Sequence, residues 1–417
     1  MKKVFSIILC ICLLLCCLLS GCASSNHLAS NDLMNGVKAQ KVNLENVALD
    51  GEHAVGPADF AVRLLKENAD EDKNVLVSPI SVLYALAMTA NGANGNTLTQ
   101  METVLGMPVS DLNAYLKVYA DALPEGEKYK LSIANSIWFT DKDSFTVLPE
   151  FLQTNANYYN AGIYETPFDE SARKEINKWV EENTDGMIED ILDNISSDAV
   201  MYLVNALAFD AQWQDIYTDR QVRDALFTTE NGEEQEIELM YSEESRYLED
   251  ADATGFLKYY ADAKYAFVAL LPNEGVTVQE YLNTLSGERL TELLANPQEG
   301  IVNAAIPKFE SEYAIDLGEV LQTMGMTDAF DMDTADFSGL GAYTDGNIYI
   351  SRVIHKTYIA VDERGTKAGA ATAVEMEVGG AMPQDPKQVY LDRPFVYMII
   401  DCEANLPLFI GTVMNMQ

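Results

Sequence analysis

Basic residues are scarce in this chain. Its 417 residues hold 27 Lys+Arg against 65 Asp+Glu, for a net charge of −38 and a pI near 4.2. A surface that acidic repels phosphate backbones, which excludes nucleic-acid binding, and it offers no polybasic patch to a membrane. Histidine is scarcer still, at three residues. Cysteine is nearly absent beyond the N-terminus: Cys10, Cys12, Cys16, Cys17 and Cys22 crowd the start, and Cys402 stands alone. That excludes a disulfide framework and a zinc-type C-x-x-C pair downstream. With 25 Gly and 13 Pro in a chain that is 48% hydrophobic, collagen-like, disordered and low-complexity classes are excluded too. Between Gly56 and Gln417 there is no G-x-S-x-G, H-E-x-x-H, Walker-type or G-x-G-x-x-G motif. The one histidine of that stretch, His355, sits in an apolar, strand-like setting with Val353, Ile354, Tyr358 and Ile359. A hydrolase would have to use it, so the expectation is a protein that is not an enzyme.

The first residues read as an address. Lys2 and Lys3 precede a 16-residue stretch, Val4 to Leu19, that is apolar except for Ser6. It is short for a spanning helix and has signal-peptide flanks. Leu19-Ser20-Gly21-Cys22 resembles the bacterial lipoprotein cleavage box, in which the Cys22 thiol would carry the lipid and become the new N-terminus. The alternative is an ordinary secretory signal. Lipidation implies a secreted body anchored at the bacterial cell surface, and loss of Lys2 and Lys3 takes the mature charge from −38 to −40. Residues 1–21 are then a signal peptide, residues 22–55 a polar, lipid-anchored tether, and residues 56–417 the body. His27 and His53 fall in the tether and read as solvated side chains, not metal ligands.

Within the body, apolar spacing and punctuation mark the elements. Pro57 is placed to start a helix whose one face carries Phe60, Ala61, Leu64 and Leu65. Ser78-Pro79 opens a second, ending near Asn91-Gly92, and Ser171 to Asn183 is amphipathic, with Ile176, Trp179 and Val180 inward. Leu131–Phe139, Val200–Phe209, Val302–Phe309, Ile348–Val361 and Phe395–Ile400 read as strands. No Pro/Ser linker or repeat divides 56–417, and no βαβ rhythm appears, so one large α+β domain is expected.

These residues resemble the serpin family along nearly the whole body. The matches are Asn74-Val-Leu-Val-Ser78-Pro79-Ile-Ser81, Gly92-Ala-Asn-Gly-Asn-Thr97 and Ile176-Asn-Lys-Trp-Val180. They continue in Leu203-Val-Asn205-Ala-Leu-Ala-Phe209 with Trp213, Ile354-His355-Lys356 through Val361-Asp-Glu363-Arg-Gly365-Thr366, and Asp392-Arg-Pro394-Phe395 with Leu408-Phe409-Ile-Gly411. The resemblance implies an α+β serpin fold of three β-sheets and eight to nine helices with an exposed reactive-centre loop. It implies no cofactor and no metal. It also gives His355 a structural role, as part of a buried polar "shutter" with Ser78, Ser81 and Asn205, and it makes Trp213 the "breach" tryptophan.

An inhibitory serpin acts as bait: a serine or cysteine protease attacks the loop, and the cut loop inserts into the central sheet before the acyl-enzyme is hydrolysed. Such a loop must be a latent strand. From Thr366, every second residue (Thr366, Ala368, Ala370, Thr372, Val374, Met376, Val378) is small or apolar, while all charges (Lys367, Glu375, Glu377) lie in the interleaved set. That is the period of a strand with one buried face. The hinge is accordingly Glu363, Gly365, Thr366, Ala368, Ala370 and Thr372. The family's usual count from Glu363 ends at Gly379, and a count back from Pro394 falls later, so the scissile bond lies in the window Val378, Gly379, Gly380, Ala381 and Met382. These residues suit a shallow apolar specificity pocket, so an elastase-like protease is the expected partner of a monomeric inhibitor. The alternative is a non-inhibitory serpin used as a binding or carrier module.

Overall fold

In the computed structural model, residues 30–44, 47–49, 52–123, 126–366 and 385–416 are described. They form nine α-helices and three sheets of seven, nine and two strands. The seven-stranded sheet positions everything that follows. Its strands in chain order are β1 (Asn31–Asp32), β2 (Tyr129–Thr140), β3 (Gly162–Thr166), β4 (Met201–Gln212), β5 (Phe309–Asp316), β6 (Arg352–Val361) and β7 (Gly365–Thr366). Across the sheet they run β1-β3-β2-β4-β7-β6-β5.

Alternation decides which face each residue takes. In β4 the odd-numbered Leu203, Leu207 and Phe209 enter the main core. The even-numbered Tyr202, Val204 and Ala206 enter a second cluster with Trp138, Ile176 and Val180. Burial on both faces explains why β4 reads as an almost unbroken apolar run. The second cluster is covered by the helix Glu170–Asn183, whose Asp169 caps it by accepting from Ser171 N–H at 2.8 Å and Ala172 N–H at 3.0 Å. Helix Pro79–Ala90 is buried at every position beneath the opposite face.

Several boundaries differ from the sequence expectations, among them that of the expected Ile348–Val361 strand, which begins at Arg352. Pro57 does not start its helix; the helix runs Glu52–Asn68 with Pro57 inside it, crossing the expected 55/56 division. The described part of the expected tether is also not a free chain. Asn31 and Asp32 pair with Glu165 and Tyr164 at the sheet edge, Leu33 N–H donates to Ile163 C=O at 2.9 Å, and Leu33, Met34, Val47 and Leu49 pack on the core. The physical reason is that β3 presents an unpaired edge, and a short polar strand satisfies it. Val302–Phe309 likewise resolves into two strands, Gln298–Pro307 and Phe309–Asp316.

Candidate functional site

The parallel seam between β4 and β6 is short. Arg352 pairs with Tyr202, and the register continues to Thr357 with Leu207. Above that the two strands part, and β7 lies between them: Thr366 pairs with Val361 on one side and with Ala211 on the other. The chain therefore leaves β6, turns, and re-enters the sheet antiparallel to both neighbours.

The turn is Asp362 to Gly365, closed by Asp362 N–H to Gly365 C=O at 3.0 Å. The Asp362 carboxylate accepts from Arg364 N–H at 2.7 Å and Gly365 N–H at 3.1 Å. Three successive carbonyls point at one segment: Asp362 C=O accepts from Trp213 Nε1–H at 2.9 Å, Glu363 C=O from Tyr217 N–H at 2.9 Å, and Arg364 C=O from Trp213 N–H at 2.7 Å. Trp213 is buried and stacks on Tyr260, with ring centroids 4.3 Å apart. Tyr260 Oη in turn lies 2.5 Å from Thr366 Oγ1, and Thr366 is fully buried. Thr366 thus occupies the inward position that the alternation assigns to it. Glu363 pairs with Lys308, which also meets Glu238 at 3.0 Å. Partial burial is the largest single influence on Glu363 and opposes its charge, but the Lys308 hydrogen bond, a backbone hydrogen bond and the nearby Lys308 and Arg364 charges together outweigh it and hold the carboxyl below its usual range.

Gly365 is required here by close approach. A Cβ at this position would lie 2.0 Å from the Ala211 carbonyl oxygen. No side chain fits between those backbones.

Lower in the sheet, Asn135, Asn205 and His355 are direct neighbours in register on β2, β4 and β6. Alternation places all three on the inner face, over the start of helix Pro79–Ala90. His355 Nδ1–H donates to Asn205 Oδ1 at 2.5 Å, and His355 Nε2 accepts from Ser78 N–H at 3.0 Å. Asn205 Nδ2 donates to Ser81 Oγ and to Asn135 Oδ1, each at 2.5 Å. Both imidazole nitrogens are engaged, and full burial of the ring pushes its pKa down to about 3. It is neutral, and it has no free lone pair with which to act as a base.

The four residues expected as a cluster thus come together, with two differences. Ser78 contributes its backbone N–H, and its hydroxyl finds no partner among the described residues. Asn135 is a fifth member that sequence reasoning missed. The signal was present: on the inward set Leu131, Ile133, Asn135, Ile137 and Phe139, Asn135 is the one polar residue. Nothing local could have marked Lys308 as the partner of Glu363. Ala368, Ala370, Thr372, the window Val378 to Met382, and Cys22 lie outside the described residues. Cys402 is half-buried, and burial, with Asp401 beside it, pushes its thiol up to about 12, far from nucleophilic. Among the described residues no His/Cys/Asp/Glu group could hold a metal ion, and no helix is long and apolar enough to cross a membrane.

A seam that closes the lower sheet, a wedge already begun in its upper half, and a strand-capable segment following the wedge define a serpin. The family model for serpin (serine protease inhibitor) matches residues 56–416. A serpin-like protein of Thermococcus kodakarensis is 33% identical over 365 residues, covering 85% of this chain and 84% of that protein. The leukocyte elastase inhibitor of Equus caballus is 30% identical over 373 residues, covering 84% and 96%. The thermophilic serpin tengpin in its native state superposes with a TM-score of 0.88 at 48% identity, covering 93% of this chain and 99% of that one. The same protein in its latent state gives 0.78. The chain belongs to the serpin family, whose members are generally protease inhibitors and not enzymes.

Proposed function

We propose that this serpin inhibits serine endopeptidases as a suicide substrate, forming an acyl-enzyme and trapping it by inserting its cut loop into the seven-stranded sheet. One observation carries the reading: Gly365–Thr366 already sits between β4 and β6, so the first pair of the new strand is in place. Insertion then has to part the β4–β6 seam from Leu207–Thr357 downward, and the residues after Thr366 have the alternation that such a strand needs. Attack on the loop carbonyl by the protease serine expels the amine of the downstream peptide and leaves an ester. Insertion draws that ester away from the protease's water-activating machinery before hydrolysis.

Elastase-like proteases are the favoured targets, on the small apolar residues of the window Val378–Met382 and on the similarity to an elastase inhibitor. The body acts as a monomer, held at the extracytoplasmic surface through lipid on Cys22. The test is incubation with a panel of serine proteases followed by a denaturing gel. A covalent complex with an elastase-like protease, absent with trypsin-like ones, is expected. Cleavage without any complex across the panel overturns the inhibitory reading.

A further inference from the structure

The turn that launches β7 is held by its carbonyls, and all three donors come from the segment Trp213 to Tyr217. That segment has little regular structure of its own: after a single bridge from Trp213 to Tyr260 it leaves the sheet. Something else has to fix it. Directly behind it lies Lys258. Its ammonium is 5.4 Å from the centroid of the Trp213 ring and 4.4 Å from that of Tyr217. Nζ donates to the Asp215 carbonyl at 3.2 Å and to Glu244 Oε1 at 3.0 Å. Ser242 Oγ donates to the same Glu244 oxygen at 2.6 Å and lies 3.3 Å from Tyr217 Oη, closing the network. The Lys258 and Glu244 side chains are only 3% and 12% exposed, so neither charge can turn to solvent for a substitute partner.

We propose that Lys258 is a positioning residue for the hinge: it fixes the 213–217 bracket from which the Asp362–Gly365 turn hangs, and so keeps Thr366 seated as the first residue of the incoming strand. One cation makes three contacts with this bracket, one to a backbone carbonyl and two to ring faces. Cation–π contacts of desolvated ammonium groups are among the stronger ones. The Asp215 carbonyl contact ties the middle of the segment, and the two rings tie its ends. With the bracket loose, Gly365–Thr366 would leave the sheet more often, and each departure would delay insertion while hydrolysis of the acyl-enzyme ran at its usual rate. The consequence for trapping rests on the inhibitory reading above; the seating of the hinge does not.

The test has to separate positioning from plain stability. Lys258→Met alone strands the Glu244 carboxylate in a buried site and is expected to fold poorly. The informative protein is the full chain carrying Lys258→Met with Glu244→Gln, which removes both charges at nearly constant volume. Replacing a buried ion pair by neutral groups is commonly neutral for stability, so its Tm should stay within about 3 °C of wild type. Hydrogen exchange of peptides spanning residues 362–366 should nevertheless be about tenfold faster, with peptides from β2 and β5 unchanged. Against one elastase-like protease, the ratio of covalent complex to cleaved product should fall by about threefold. Unchanged exchange at 362–366, or an acceleration spread evenly over the sheet, overturns the positioning role. If wild type traps no protease, the inhibitory reading fails, while the exchange result still decides what Lys258 does.

Discussion

His355 Nδ1 and Asn205 Oδ1 lie 2.5 Å apart across the one parallel seam of the central sheet that an incoming strand would have to open. The same asparagine holds Ser81 and Asn135 with its amide nitrogen, so one side chain ties β4 to β2, to β6 and to the helix beneath. Asn205→Ala therefore leaves His355 Nδ1–H and the Asn135 and Ser81 acceptors without this partner. Each orphaned buried group costs roughly 1–3 kcal/mol. The expected outcome is easier parting of the seam, seen as faster conversion to latent or polymeric forms on warming by native gel. A variant that stays monomeric at wild-type temperatures argues against a closing role for Asn205.

The seam also makes stability pH-dependent with a defined sign. Burial lowers the folded pKa of His355 from 6.5 to about 3. Between those values the unfolded chain carries a proton that the native state does not, so native stability is fullest above pH 6.5 and falls as pH drops toward 3. The slope from this one group is at most about 1.4 kcal/mol per pH unit. In His355→Gln, the amide can still donate to Asn205 and accept from Ser78, but it does not titrate. Urea midpoints of the two proteins measured from pH 7 to 4 should converge or cross as pH falls, with the variant's slope shallower. Parallel slopes rule out a buried neutral imidazole.

What the sequence made legible follows from where each signal lives. The inward–outward alternation of β4 and β6 is local, so strand, face and buried polar residue could all be read from it. Asn135 carried the same kind of signal and was overlooked among polar neighbours Ser132 and Ser136. The Lys308–Glu363 pair, the Lys258 network and the three carbonyl contacts of the hinge turn join residues far apart in the chain, and no local pattern encodes such meetings. The N-terminal arm misled for a related reason. Residues 30–44 and 47–49 are polar and weakly patterned because they are held by a two-residue edge contact, a few apolar anchors such as Leu33 and Leu49, and hydrogen bonds to distant partners such as Glu175 and Asn157, none of which imposes a local period. Pro57 misled because five residues precede it in its helix, where propensity alone would place it first.

Gly365 gives a backbone test of the wedge. In Gly365→Ala the new methyl meets the Ala211 carbonyl oxygen, so either the turn shifts or β7 leaves the sheet. Overpacking of this kind costs about 1–3 kcal/mol. The expected result is a protein that folds, is cut by the protease, and yields less covalent complex per cleavage than wild type. Trapping at the wild-type ratio means that the seated Gly365–Thr366 pair is not the start of insertion.

Anchoring is tested at Cys22. Cys22→Ala should abolish fatty-acid labelling and release the protein from the membrane fraction, while leaving protease trapping by the body intact. Labelling that persists in the variant excludes Cys22 as the lipid site.

Thr366 gives the sharpest test of mechanism, because among the described residues it is the one inward member of the inserting set, and its seat is defined. It is fully buried with its Oγ1 beside Tyr260 Oη, and the Tyr260 ring is in turn stacked on Trp213. Thr366→Arg would put an unpaired charge in that seat, at a cost of about 3 kcal/mol or more, so the hinge would be expelled and insertion slowed. Hydrolysis of the acyl-enzyme depends on the protease and would not slow. The variant should still be cut within Val378–Met382 but should turn over as a substrate. Lys367→Glu, in the interleaved set where charges already sit, should keep most of its inhibition. The measurement is the ratio of covalent complex to cleaved product for both variants with one elastase-like protease. Heating the cleaved proteins adds an independent readout: cleaved wild type should gain stability over the intact form, and cleaved Thr366→Arg should gain much less. If Thr366→Arg traps protease as well as wild type, loop insertion is not how this serpin acts.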